Sequence, residues 1–145
     1  MKIHQISLFL ENKPGHLNAI CRTLAEAKIN IVTLSLADTQ QFGIVRLIVE
    51  EWQKAKEVLE KAGYVVNVRE VVAAAVADKP GGMAEVLDII GKAGVNIEYM
   101  YAFAFRHGSE AVLVFRFDNA DRAIEALKAS GRDVFDAVTL FNQTK

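Results

Sequence analysis

The residues of this chain best suited to chemistry lie in two short polar turns. The first reads Glu11-Asn12-Lys13-Pro14-Gly15-His16-Leu17, and it returns as Ala77-Asp78-Lys79-Pro80-Gly81-Gly82-Met83. A proline fixes φ near the value a helix needs at its first position, so each turn presents a helix N-terminus. The unpaired N–H groups there, together with the helix dipole, favour a carboxylate or phosphate. Gly15 in one turn, and Gly81 with Gly82 in the other, let a ligand approach the backbone closely. Asn12 and Asp78 stand two residues before each proline and offer oxygens that accept from an ammonium group. Amides for a carboxylate beside an oxygen for an ammonium describe a site for a free α-amino acid. Asp78 has a charge that Asn12 lacks, so two such sites need not be equal. The plainer role for both residues is to cap their helices. Spacing leaves the two roles open.

Other chemistries find less support. Cys21 is the single cysteine, and it falls within a helical apolar stripe, so no disulfide framework or thiolate cage is expected within the chain. Ser35, Ser109 and Ser130 have no histidine at a telling position, and no nucleophile is paired with a base along the sequence. An enzyme is therefore not expected, nor is a metal or a cofactor. The formal charge is −1, so no basic excess is available to hold a nucleic-acid backbone. No uncharged apolar run approaches the roughly 18 residues that would span a membrane. Met1 to Gln5 leads directly into a strand pattern with no signal peptide, which points to a soluble cytoplasmic protein. His16 stands just past the first Pro-Gly, where the second turn has Gly82, and it either touches a ligand side chain or stays idle in solvent. His4 and His107 read as surface residues.

The elements that position the turns repeat as well. Asn30-Ile31 returns as Asn96-Ile97 with the same offset of 66 that separates Gly15 from Gly81, and Ala55 to Gly63 returns as Ala123 to Gly131 with an offset of 68. A two-residue insertion between these anchors, in a hairpin loop, accounts for the difference. Two copies are too few for a solenoid, so this is a duplicated domain, read as 1–71 and 72–145. Units of about 70 residues have marginal cores alone and are expected to pack together.

Ile3 to Leu10 is a strand by its short β-competent run. Leu17, Ile20, Cys21, Leu24 and Ala25 then recur at helical spacing. Ile31 to Ala37 and Phe42 to Val49 are strands around the polar turn 38–41. Trp52, Ala55, Val58, Leu59 and Ala62 form a second stripe, stopped by Gly63. Tyr64 to Val72 closes the unit, and Val71 to Val76 can run on as one strand shared between the copies. In the second copy, Met83, Val86, Leu87 and Ile90 mark a helix, Ile97 to Phe105 and Ala111 to Phe117 strands, Ala120, Ala123, Ile124 and Leu127 a helix, and Val134 to Phe141 a last strand. The order βαββαβ, with right-handed crossovers, predicts an α+β protein of two tandem ferredoxin-like sandwiches, paired into an eight-stranded sheet. Tyr99, Tyr101, Phe103 and Phe105 share a parity along one strand. They either pack under the helices or cover the helix-free face, where a partner or the other half would shield them.

That topology hosts many functions, so the turns must decide. A strand, then Asn/Asp-Lys-Pro-Gly-x-Leu/Met, a helix, and Asn-Ile opening the second strand resembles the ACT domain, once in each half. The resemblance implies a small regulatory module that binds an amino acid between the first loop of one unit and the second-strand start of its neighbour. Transferred by position, it implies one site of Asn12, Pro14, Gly15, His16 and Leu17 with Asn96 and Ile97. A second would comprise Asp78, Pro80, Gly81, Gly82 and Met83 with Asn30 and Ile31. Serine-sensing members resemble this motif but have a histidine where Leu10 and Val76 stand, which puts serine in doubt here. A homodimer is expected, with a metabolic enzyme as a further partner. The alternative is an interaction subunit whose ligand sites are vestigial.

Overall fold

The computed structural model describes residues 1–11, 13–38 and 42–143. Along them run β1 (Ile3–Glu11), α1 (His16–Glu26), β2 (Thr33–Asp38), β3 (Phe42–Ile48), α2 (Trp52–Lys61), β4 (Val66–Ala77), α3 (Gly82–Lys92), β5 (Ile97–His107), β6 (Glu110–Phe117), α4 (Ala120–Ala129), β7 (Val134–Phe135) and α5 (Ala137–Gln143). As far as β7 this is the α+β order predicted for two tandem ferredoxin-like units, and α5 is added to it. β4 serves twice: it closes the first repeat and opens the second. The chain forms two compact units, His4–Arg69 and a second from Glu70 onward that includes Met1–Ile3. Lys2 is tied into that second unit by an ion pair with Asp121 at 3.0 Å.

In the first unit β3 lies between β2 and β1, antiparallel to both. Leu8 faces Val45 and Ile6 faces Leu47, so one side of the sheet is continuously apolar. The apolar stripes of α1 (Ile20, Leu24) and α2 (Ala55, Leu59) close over it. The turn 38–41 between β2 and β3 falls largely outside the described residues. In the second unit β6 pairs with β5 and β4, and β7 takes the other edge of β4. Val72, Ala74, Val76, Phe115 and Phe117 meet Val86 and Ile90 of α3 and Ala123 and Leu127 of α4.

The expected last strand, Val134 to Phe141, ends at Phe135 and gives way to α5. Asp136 causes the break. Its carboxylate accepts from the Thr139 N–H at 2.7 Å and its carbonyl accepts from the Leu140 N–H at 3.0 Å, which is a helix N-cap. Leu140 and Phe141 are then buried while Val138 faces solvent, a helical and not a strand alternation.

Strand register resolves the aromatic ladder. Met100 lies opposite Phe115, which belongs to the core beneath the helices, whereas Tyr99 and Tyr101 lie opposite Arg116 and Val114. Directly opposed residues share a face, so Tyr99 and Tyr101 are on the helix-free side of their sheet. Irregularities between Ile97 and Tyr99 and between Ala102 and Arg106 interrupt the simple alternation. Phe103 is buried, and the side chain of Phe105 lies outside the described set.

Candidate functional site

The two turns match bond for bond. In the first, Lys13 N–H donates to the Glu11 carbonyl, His16 N–H to Lys13, and Ala19 N–H to Gly15. In the second, Lys79 N–H donates to Ala77, Gly82 N–H to Lys79, and Glu85 N–H to Gly81. Gly15 and Gly81 turn into their helices at φ of 88° and 83°, a left-handed conformation that costs a side-chain-bearing residue about 1–2 kcal/mol. Among the described residues, the N–H groups of Leu17 and Asn18, and of Met83 and Ala84, have no hydrogen-bond acceptor. Each helix therefore opens with free donors at its positive end. Pro14, Gly15 and His16 are exposed, as are Pro80 and Gly81.

The surroundings of the two turns differ. In the first, Glu11 and Lys13 form an ion pair at 2.8 Å. The hydrogen bond from Lys13 holds the Glu11 carboxyl below its usual range, and the same bond raises Lys13. Asn12 lies outside the described residues. In the second, Asp78 caps nothing: its carboxylate meets the Arg106 guanidinium at 2.7 Å, and Arg106 also donates to the Ser109 carbonyl. The oxygen expected to receive an ammonium group is thus already held by a cation. Gly82 is buried where His16 is exposed. A Cβ on Gly82 would fall 1.9 Å from the Ala77 carbonyl oxygen, so the first position of α3 fits glycine without a shift of the backbone.

The other predicted residues are placed as follows. Leu17 and Ile31 are half-buried against the core of the first unit, and Met83 and Ile97 against that of the second. They anchor the turn and the second strand of each unit to one core. Asn30 and Asn96 are exposed. The backbone of Asn96 is fixed by Asp118, whose carboxylate accepts from Asn96 N–H at 2.9 Å and whose N–H donates to the Asn96 carbonyl at 3.1 Å. His4 and His107, expected at the surface, are half-buried in ring contacts: His4 stacks on Trp52 at 4.4 Å and His107 meets the edge of Phe135 at 5.1 Å.

A feature missed by the sequence reasoning adjoins the first turn. A cavity of about 250 Å³ is lined by Phe9, Leu10, Glu11, His16, Ala19 and Tyr64. β1 supplies the first three, α1 the next two, and the segment entering β4 the tyrosine. The signal was present in the repeat, where Ala19 and Tyr64 correspond to Glu85 and Arg132, but it has meaning only once those positions are seen to converge.

Fold and turns together define a tandem pair of ferredoxin-like units. The family model for an ACT domain pair matches residues 1–142. This chain belongs to the ACT domain family, as an ACT domain pair. It is similar to a solved structure from Bacteroides thetaiotaomicron at 39% identity and a TM-score of 0.89, covering 97% of this chain and 96% of that one. It also resembles in fold the regulatory subunit of aspartate kinase from Thermus thermophilus, at 20% identity and a TM-score of 0.66 over 88% of this chain and 90% of that one. The corresponding subunit from Thermus flavus gives 20% and 0.61 over 89% and 93%. No curated protein matches the chain.

Proposed function

We propose that this chain is a non-catalytic regulator that binds a free amino acid at its Pro-Gly turns, at the interface between its ACT units. The ligand carboxylate takes the free N–H groups that open α1 or α3. The second-strand starts at Asn30-Ile31 and Asn96-Ile97 supply the opposing wall. The observation that supports this most is the pair of bond-for-bond identical turns, each with two helix-opening N–H groups left without an acceptor among the described residues. Such groups favour an anion through both hydrogen bonds and the helix dipole. A ligand held this way ties the order of one unit to that of the other, which is how occupancy would reach a partner. The protein would act in the cytoplasm as a homodimer, with a metabolic enzyme as the regulated partner, the role that regulatory subunits of aspartate kinase suggest.

A thermal-shift screen against the twenty amino acids, followed by calorimetry, tests the proposal. A ligand at 100 times its dissociation constant adds about 2.7 kcal/mol. At this chain length that is a rise of roughly 5–10 °C. A response confined to one amino acid or one chemical class is expected. Absence of any shift at millimolar ligand would sink the reading. Unchanged affinity in both Asn30→Ala and Asn96→Ala would remove those residues from the wall.

A second reading, an interaction subunit with vestigial sites, is favoured by a different observation. Phe9 is 61% exposed and Phe42 50%, on the helix-free side of the first unit. Co-purification with an enzyme whose activity ignores every amino acid would favour it.

A further inference from the structure

We propose that each chain takes one amino acid, not two, and that the bound side chain is uncharged and apolar, seated in the cavity lined by Phe9, Leu10, Ala19 and Tyr64. The proposal rests on the amino-acid reading given above and adds the stoichiometry and the ligand class. On the helix side of β1, Leu10 and Ala19 give apolar walls and Tyr64 presents a ring, while Phe9 borders the cavity from a position whose side chain belongs to the helix-free face. The one formal charge on the cavity, Glu11, is already neutralised by Lys13 at 2.8 Å. No bare charge remains there to recompense a charged ligand side chain for its lost hydration. An aliphatic or aromatic group gains by burial against such walls.

The second unit places the same backbone positions differently. Ala19 and Glu85 occupy equivalent places, since each donates its N–H to the glycine that opens its helix, at 2.9 and 3.0 Å. Tyr64 and Arg132 are equivalent too, donating to Leu59 and Leu127 at 3.1 and 2.9 Å just after their helices end. At these two positions the methyl and the phenol ring of the first unit give way to a carboxylate and a guanidinium, joined at 2.6 Å. An apolar ligand entering there would have to part the pair and strip water from both charges. At the turn itself Gly82 is buried against the Ala77 carbonyl, where the first unit has the exposed His16. His16, at the rim of the first cavity, becomes the residue placed to touch the ligand.

Calorimetry on the full chain with the twenty amino acids tests this. The expected result is one site per chain, filled by an aliphatic or aromatic amino acid. The double variant Ala19→Glu/Tyr64→Arg, which transplants the ion pair into the first unit, should weaken binding roughly 10–200-fold, the range for losing an apolar contact in a pocket. Glu85→Ala/Arg132→Tyr, which changes only the second unit, should leave the affinity of the first cavity unchanged. Should the first variant not fold by circular dichroism, Ala19→Leu, which fills the cavity, takes its place with the same expectation. Two sites per chain, preference for a charged or polar amino acid, or undiminished affinity in a folded cavity variant would each overturn the proposal while leaving the amino-acid reading standing. Failure of every amino acid to bind would overturn both.

Discussion

Gly82 and Gly91 lie in the same helix, and replacing each by alanine should move stability in opposite directions. An alanine Cβ at position 82 would stand 1.9 Å from the Ala77 carbonyl oxygen, 2.9 Å from its carbon and 3.3 Å from the Ala77 Cβ. The first two obstacles are backbone and cannot rotate away, so the turn itself must shift. Overpacking of this kind costs about 1–3 kcal/mol, and a rigid obstacle puts Gly82→Ala near the top of that range. At position 91 nothing lies within 4 Å of the added methyl, and the residue is exposed inside the helix. There alanine gains roughly 0.5–1 kcal/mol from propensity and from a less disordered unfolded chain. With about 2–4 °C per kcal/mol at this size, Gly82→Ala should melt roughly 5–10 °C below the parent and Gly91→Ala about 1–4 °C above it. Thermal and urea melts of the three proteins side by side measure both. If Gly82→Ala matched or exceeded the parent, the close approach of the Ala77 carbonyl to the start of α3 would be wrong.

Three further expectations follow from single residues. Lys28 sits at φ 60° where the second copy has Gly94 at φ 71°, with matching hydrogen bonds around both. Lys28→Gly should therefore stabilise the chain: relief of about 1–2 kcal/mol of left-handed strain exceeds the roughly 0.5–1 kcal/mol that glycine loses in chain entropy, and chemical denaturation would read the difference. The hydrogen bond from Thr139 holds the Asp136 carboxyl below its usual range. A lowered folded value means the cap stabilises above the ordinary aspartate value, about 3.9, and fades as pH falls through the lower folded one. The gap in melting temperature between the parent and Asp136→Ala should thus be constant at neutral pH and shrink in acid below that value. Arg132→Ala removes a pair that is partly open to solvent, so it should cost no more than about 1 kcal/mol in a urea melt. A larger loss would mean that the pair braces the second unit.

What the sequence determined is what is local. The repeat itself, the two Pro-Gly turns, the helix stripes from Leu17 to Ala25 and from Trp52 to Ala62, and the strands between them depend on residues within a few positions of one another, where proline geometry, glycine and hydrophobic periodicity act directly. The shared strand was legible too, because Val71 to Val76 is unbroken by any turn residue. One local signal was overlooked, the Asp136 cap, hidden because the apolar run on either side of it suits a strand or a helix equally. What only the tertiary structure decided are encounters between residues far apart in the chain. Arg106 claims Asp78, Arg132 claims Glu85, and Tyr64 converges with Leu10 and Ala19. The face of Tyr99 and Tyr101 depended on register against β6, because an irregularity in one strand flips every side chain beyond it. Two turns with one backbone thus acquire different chemistry, since their bonds are set by neighbours in sequence and their surroundings by neighbours in space.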